Sequence, residues 1–202
     1  MNRTPASAST TLLTMPAADT RGRILDAAFD AIAVFGIARL SLEDVARRAG
    51  LSRQTLYRYF RTKDDVVAAV ILREEEALLE VVTAAGTTHE DVRDALEAAI
   101  LATLVAAREH PLLGRLLETE PERVLPFLMS DEAPVLSAAT PAVADLLVAR
   151  LPRVSKVRAR RTADAVTRLI VSWVVNPPAD KATDLAHDLA VSVTAGLEAE
   201  PA

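Results

Sequence analysis

Between Ser41 and Lys63 the chain carries three helix-start signals in about 25 residues, spaced so closely that only short helices fit between them. Ser41 precedes Leu42, Val45, Ala46 and Ala49. These fall at i, i+3, i+4 and i+7 on one helical face, with Glu43, Arg47 and Arg48 turned outward. Ser41 and Asp44 form a capping pattern in which the hydroxyl accepts from an orphan backbone N–H. Gly50 follows the last apolar residue, where a left-handed stop is least costly without a β-carbon. Ser52 then caps a second helix over 53–59, leaving Leu51, Leu56 and Phe60 to pack inward. Thr62 and Asp65 repeat the signal, so a further helix starts near Lys63. Upstream, Ile24, Ala28, Ala31, Ile32 and Phe35 make an apolar stripe that Gly36 ends, predicting a helix over 21–35. The result is a three-helix unit with a helix-turn-helix at its end.

The same spacing suits an ordinary helical hairpin, so the chemistry of the second helix has to decide. When such a pair docks on DNA, the start of its second helix meets base edges in the major groove. Arg53, Gln54 and Thr55 stand there. Arginine offers two donors to guanine, glutamine pairs with adenine, and the threonine methyl packs on thymine. Tyr57, Tyr59 and Lys63 suit phosphates, which position a protein without specifying sequence. Ser41 and the first N–H groups of its helix suit another phosphate. Arg58 and Arg61 fit either phosphate or solvent, and Arg21 and Arg23 are backbone-contact candidates. Charge agrees. Residues 1–65 hold ten Lys/Arg and seven Asp/Glu, a net of +3, whereas residues 66–202 hold thirteen and twenty-one, a net of −8. An acidic protein binds DNA when its positive charge is local.

The stretch from Arg21 to about Val70 resembles the N-terminal domain of the TetR family of bacterial transcriptional regulators. The matching residues are Ile24 to Ala28, Phe35-Gly36, Ser41 to Ala46, Ala49 to Phe60, and Lys63 to Val66. The resemblance covers about a quarter of the chain. It implies a homodimer on a palindromic operator in double-stranded DNA, with a larger helical domain that holds a small-molecule pocket. It also implies that Ser41, Tyr57 and Lys63 contact phosphates, and that Arg53, Gln54, Thr55 and Tyr59 contact bases. Many members have a small residue where this chain has Gln54, which implies a different operator sequence.

The expected fold is therefore all-α: a tail over 1–19, a helix-turn-helix domain over 20–65, and a helical ligand-binding and dimerisation domain over 66–202. Half of the residues are hydrophobic and only six are glycine, with little strand-type alternation. No apolar run reaches the ~18 residues that span a bilayer. The Ser/Thr/Ala-rich first 19 residues have only short, interrupted apolar pieces, unlike a signal peptide. The absence of cysteine excludes disulfides and thiolate metal sites and fits a cytoplasmic protein.

In the body, helices are expected over 63–84, 90–109, 112–118, 121–129, 134–151, 155–175 and 181–197, with Gly86-Thr87-Thr88 breaking the first. The last two pair Val166, Leu169, Ile170, Trp173 and Val174 with Leu185, Leu189, Val193 and Leu197. Two such hairpins suit a four-helix dimer interface, for which Leu169, Trp173, Leu185, Leu189 and Val193 are the candidates; covering their own core is the alternative. Phe127 and Trp173, the two aromatics outside the head, are candidates to line a pocket for a small lipophilic effector.

His89, His110 and His187 form no metal-ligand spacing, and His187 is expected to pair with Asp184 one turn away. No cofactor is expected, and an enzyme built on Ser172 or Ser192 has no motif behind it. The expected function is a DNA-binding regulator, a repressor released by a small apolar ligand. The alternative is a regulator without a ligand, constitutive or controlled by a protein partner.

Overall fold

The cap signals organise the N-terminal half. In the computed structural model, which describes residues 17–130 and 134–199, this half begins with α1 (Ala17–Phe35), α2 (Leu42–Arg48), α3 (Arg53–Tyr59) and α4 (Lys63–Thr87). The Ser52 hydroxyl accepts from the Thr55 N–H at 3.1 Å. Thr62 accepts from the Asp65 N–H, and the Asp65 carboxylate accepts in return from the Thr62 N–H, completing a capping box. These donors, those of Thr62 above all, favour the charged form and hold the Asp65 carboxyl below its usual pKa.

At α2 the cap differs from expectation. The Ser41 hydroxyl accepts from the Glu43 N–H at 3.3 Å, and Asp44 pairs with Arg47 instead of returning to the cap. A guanidinium one turn along is a stronger, charged donor than a neutral backbone N–H. Helix α1 starts at Ala17, four residues before the expected start at Arg21, and Ala17 and Ala18 are the best of helix formers. Residues 1–16 of the expected tail lie outside the described residues. Gly36 and Gly50 end α1 and the α2 turn with φ of +79° and +66°.

Ile24, Leu25, Val45, Leu56 and Val66 are fully enclosed in the core of this head. That core continues beyond residue 65. Val67 and Val70 of α4 join it, as do Leu112, Leu116 and Val124 from around α6 (Leu113–Thr119) and α7 (Pro121–Met129). The two short helices of the body are thus packed against the head.

Gly86 does not break α4, which runs on to Thr87. The glycine is buried where α5 (Val92–Glu109) crosses, and a β-carbon there would lie 3.5 Å from the Ala95 carbonyl oxygen and 3.6 Å from the Ala99 Cβ. The helix thus ends inside the expected Gly86-Thr87-Thr88 triplet, three residues beyond the expected 84, and Gly86 itself serves close helix approach. At 25 residues α4 spans roughly 37 Å.

The body adds α8 (Pro134–Arg150), α9 (Lys156–Val175) and α10 (Ala182–Ala199). Helix α8 lies along α9, and α10 lies along α5, where Ala186 and Ala190 are fully buried and permit a close approach. The expected α9–α10 hairpin is therefore not packed face to face. Its apolar residues Val166, Ile170, Trp173, Leu185 and Leu189 instead share one core with Leu96, Ile100 and Leu104 of α5. For the same reason His187 bonds Glu97 of α5 at 2.9 Å, not Asp184, whose carboxylate accepts from Thr183. Among the described residues, no helix is long and apolar enough to cross a membrane.

Candidate DNA-reading edge and effector cavity

Helix α3 stands on the head as an exposed rod with one buried face. Leu56 anchors it, while Arg53, Gln54, Tyr57 and Arg58 face solvent. The Arg53 guanidinium lies 2.6 Å from Glu43 of α2, with both side chains about half to two-thirds exposed. An exposed pair of this kind contributes only about 0–1 kcal/mol, so it orients Arg53 and yields readily to a better acceptor. The Thr55 hydroxyl is shared with the Ser52 cap at 2.8 Å. Tyr59 is half-buried against the head core and Tyr57 is exposed.

Lys63, at the start of α4, donates to the Ala38 carbonyl at 3.2 Å, so its ammonium is drawn toward the α1–α2 loop. Ser41 caps α2 by accepting from the Glu43 N–H, at the helix end whose first N–H groups have no intrahelical partner. Two cations read as backbone contacts have other work. Arg23 donates to the Ala49 carbonyl and braces the turn at Gly50. Arg21 lies over the Phe60 ring at 5.7 Å. Their sequence positions are right for DNA, but a carbonyl 26 residues away and an aromatic ring compete for them.

The loop that Lys63 touches is also held from the body. The Glu120 carboxylate, between α6 and α7, accepts from the Ala38 N–H at 2.7 Å and pairs with Arg123 at 3.3 Å. Arg115 of α6 donates to the Val34 carbonyl at 3.1 Å. No sequence signal marks these residues, because their partners are 81 and 82 positions distant.

Within the body, α4, α5, α8 and α9 line a partly open cavity of about 80 Å³. Its wall is almost wholly apolar, formed by residues such as Leu78, Val82, Val143 and Ile170, with Glu75, Thr103 and Thr167 as the polar members. Neither Phe127 nor Trp173 lines it. Phe127 is half-buried on α7, and Trp173 packs against the body core. Large aromatics mark where volume is filled; this cavity exists where α4 and α8 present small and aliphatic side chains. Burial pushes the Glu75 carboxyl pKa up, and the adjacent Glu76 adds to the rise.

On the outer surface, Leu169, Leu189 and Val193 line a shallow groove between α9 and α10. Leu169 is 39% exposed, whereas Trp173, Leu185, Leu189 and Val193 lean partly on their own core. Ser172 and Ser192 are exposed on the same two helices.

A helix-turn-helix head with an outward helix, joined by one long helix to a helical body with an apolar cavity, defines the class: a DNA-binding transcriptional regulator. Residues 24–70 match the family described as bacterial regulatory proteins, tetR family, and residues 91–194 match the bacterial tetracyclin repressor C-terminal domain. The chain belongs to the TetR family of bacterial transcriptional regulators. The HTH-type transcriptional regulator AlkX of Mycobacterium tuberculosis is 30% identical over 181 residues, 86% of this chain and 83% of the relative. The HTH-type transcriptional activator FasR of Mycolicibacterium smegmatis is 31% identical across 83% of this chain and 78% of its own. Shorter matches to uncharacterized mycobacterial regulators span 53% of this chain and 54% of the relative. Among solved structures, the TetR family repressor AlkX of Dietzia sp., implicated in biodegradation of n-alkanes, superposes with a TM-score of 0.69. It is 25% identical and the match covers 88% of this chain and 95% of that one.

Proposed function

We propose that this regulator is a cytoplasmic homodimeric repressor that leaves its palindromic operator when a lipophilic small molecule enters the body cavity. The observation that carries the reading is the path of α4. Val66 and Val70 of this helix lie in the head core, and Leu78 and Val82 line the cavity. A ligand that prefers one arrangement of the cavity therefore biases the position of the head, by no more than its differential affinity for the two arrangements. The repressor sense agrees with the Dietzia relative, a repressor implicated in biodegradation of n-alkanes, and the lipophilic class is supported by the apolar wall. A body packed without a cavity would have favoured a regulator lacking a ligand. The decisive experiment is selection of bound DNA from a random pool, followed by titration of the complex with apolar compounds. Complexes that stay intact at saturating bound ligand would contradict ligand release.

Within this reading Arg53, Gln54, Thr55 and Tyr59 read bases, while Ser41, Tyr57 and Lys63 hold phosphates. Arg53 breaks its pair with Glu43 to do so. Arg53→Ala is expected to weaken binding by about 1–3 kcal/mol and relax preference at one operator position. Equal weakening on every sequence, measured by fluorescence anisotropy, would remove Arg53 from the base-reading set.

Two heads reading half-sites about 34 Å apart require a dimer. The α9–α10 groove, flanked by Leu169, Leu189 and Val193, is its proposed seam, with Trp173 and Leu185 beneath it. Leu169→Glu places a charge on an exposed position that the monomer tolerates. Sedimentation is expected to show dimer for the natural protein and monomer for the variant at micromolar concentration. A dimer of undiminished affinity in the variant would move the interface elsewhere.

A further inference from the structure

The cavity wall contains three oxygens that have no partner: both carboxylate oxygens of Glu75 and the hydroxyl of Thr167. Thr167 is only 4% exposed. Both residues line the same cavity, one from α4 and one from α9. The third polar residue, Thr103, donates to the Ala99 carbonyl at 2.8 Å and is satisfied within its helix. Native proteins pair nearly all buried polar groups, and leaving one unpaired is costly, more so when it is charged. The cation nearest along α4, Arg73, is turned to Asp26 and Glu74 and provides no counter-charge. Glu75 is thus a carboxyl raised in pKa within an apolar wall, the condition in which a missing partner of opposite charge restores the most free energy.

We propose that the cavity binds an aliphatic ligand carrying a primary ammonium head, which donates to Glu75 and Thr167 while its chain lies along the apolar wall. This rests on the reading of the cavity as an effector site and names the chemistry of its ligand. An ammonium has three donors and no acceptor, and all three oxygens can accept from it once Glu75 is ionised, the form a bound ammonium itself favours. A hydroxyl head supplies one donor, an alkane supplies none, and a carboxylate head adds a second negative charge. Charge-assisted hydrogen bonds are also roughly twice as strong as neutral ones.

Octylamine, octanol and octanoate, equal in chain length, provide the test, with binding followed by calorimetry and by the single tryptophan, Trp173. Octylamine is expected to bind at least tenfold more tightly than octanol or octanoate. Glu75→Gln is expected to abolish that preference while melting no lower than the natural protein, since it removes a charge the wall does not compensate. Thr167→Val, equal in shape, is expected to weaken octylamine severalfold. Octanol binding as tightly as octylamine, or octylamine binding unchanged by Glu75→Gln, would overturn the assignment. Failure of all three to bind would overturn it together with the effector cavity. Preferential octylamine binding that left the protein on its selected DNA would uphold the ligand chemistry and reject release.

Discussion

Leu56→Ala is expected to destabilise the head by about 2–5 kcal/mol and to eliminate DNA binding at temperatures where the body remains folded. Leu56 has no exposed surface and is the one buried residue of α3. Truncating it loses the transfer free energy of the removed methyl groups and leaves a hole that the neighbours fill only in part. A seven-residue helix has no independent stability to fall back on, because helices this short are unstable in water without tertiary packing. For a chain of this size each kcal/mol corresponds to roughly 2–4 °C in melting temperature. The head and body cores share no buried residue, and Trp173 packs in the body core. The loss of operator binding should therefore precede the fluorescence transition of Trp173 on heating. Coincident transitions in the variant would show that the two cores melt as one unit.

Gly36→Ala is expected to damage both the head and its tie to the body, and more than Gly50→Ala does. Both glycines have left-handed backbone, which costs an alanine about 1–2 kcal/mol. Their surroundings differ. A β-carbon on Gly50 meets only the flexible end of Arg23, at 3.1 Å. A β-carbon on Gly36 falls on the Glu120 carboxylate, which holds the Ala38 N–H. Displacing it breaks a hydrogen bond to a charged group, worth about 1.5–3 kcal/mol. Chemical denaturation should place Gly36→Ala about 2 kcal/mol below Gly50→Ala. In a Glu120→Ala background that gap should close, because the obstructed group and its bond are already gone. A gap that persists would mean backbone strain alone separates the two glycines.

The head was legible because its determinants are local. Three caps, two stopping glycines and one apolar face lie within a few residues of what they control, and the structure keeps Ser52, Thr62, Gly36, Gly50 and Leu56 in those roles. Where local reading failed, a distant group had intervened. Gly86, inside the triplet that ends α4, was a contact point for α5, and His187 turned to Glu97, 90 residues away. The pocket was the least legible part. Its unpartnered polar members, Glu75 and Thr167, look in sequence like an ordinary helix-surface acid and a helix threonine, and the aromatics Phe127 and Trp173 lie outside its wall.

The sequence alone determined an all-α chain and a helix-turn-helix, since caps and 3.6-residue spacing act over one or two turns. Only the tertiary structure decided that Arg53 rests on Glu43, that Glu120 reaches the α1–α2 loop, and that one carboxyl sits unpaired in an apolar cavity. Those outcomes depend on which helix faces which, and on the low dielectric that results. Neither is set by neighbours in sequence.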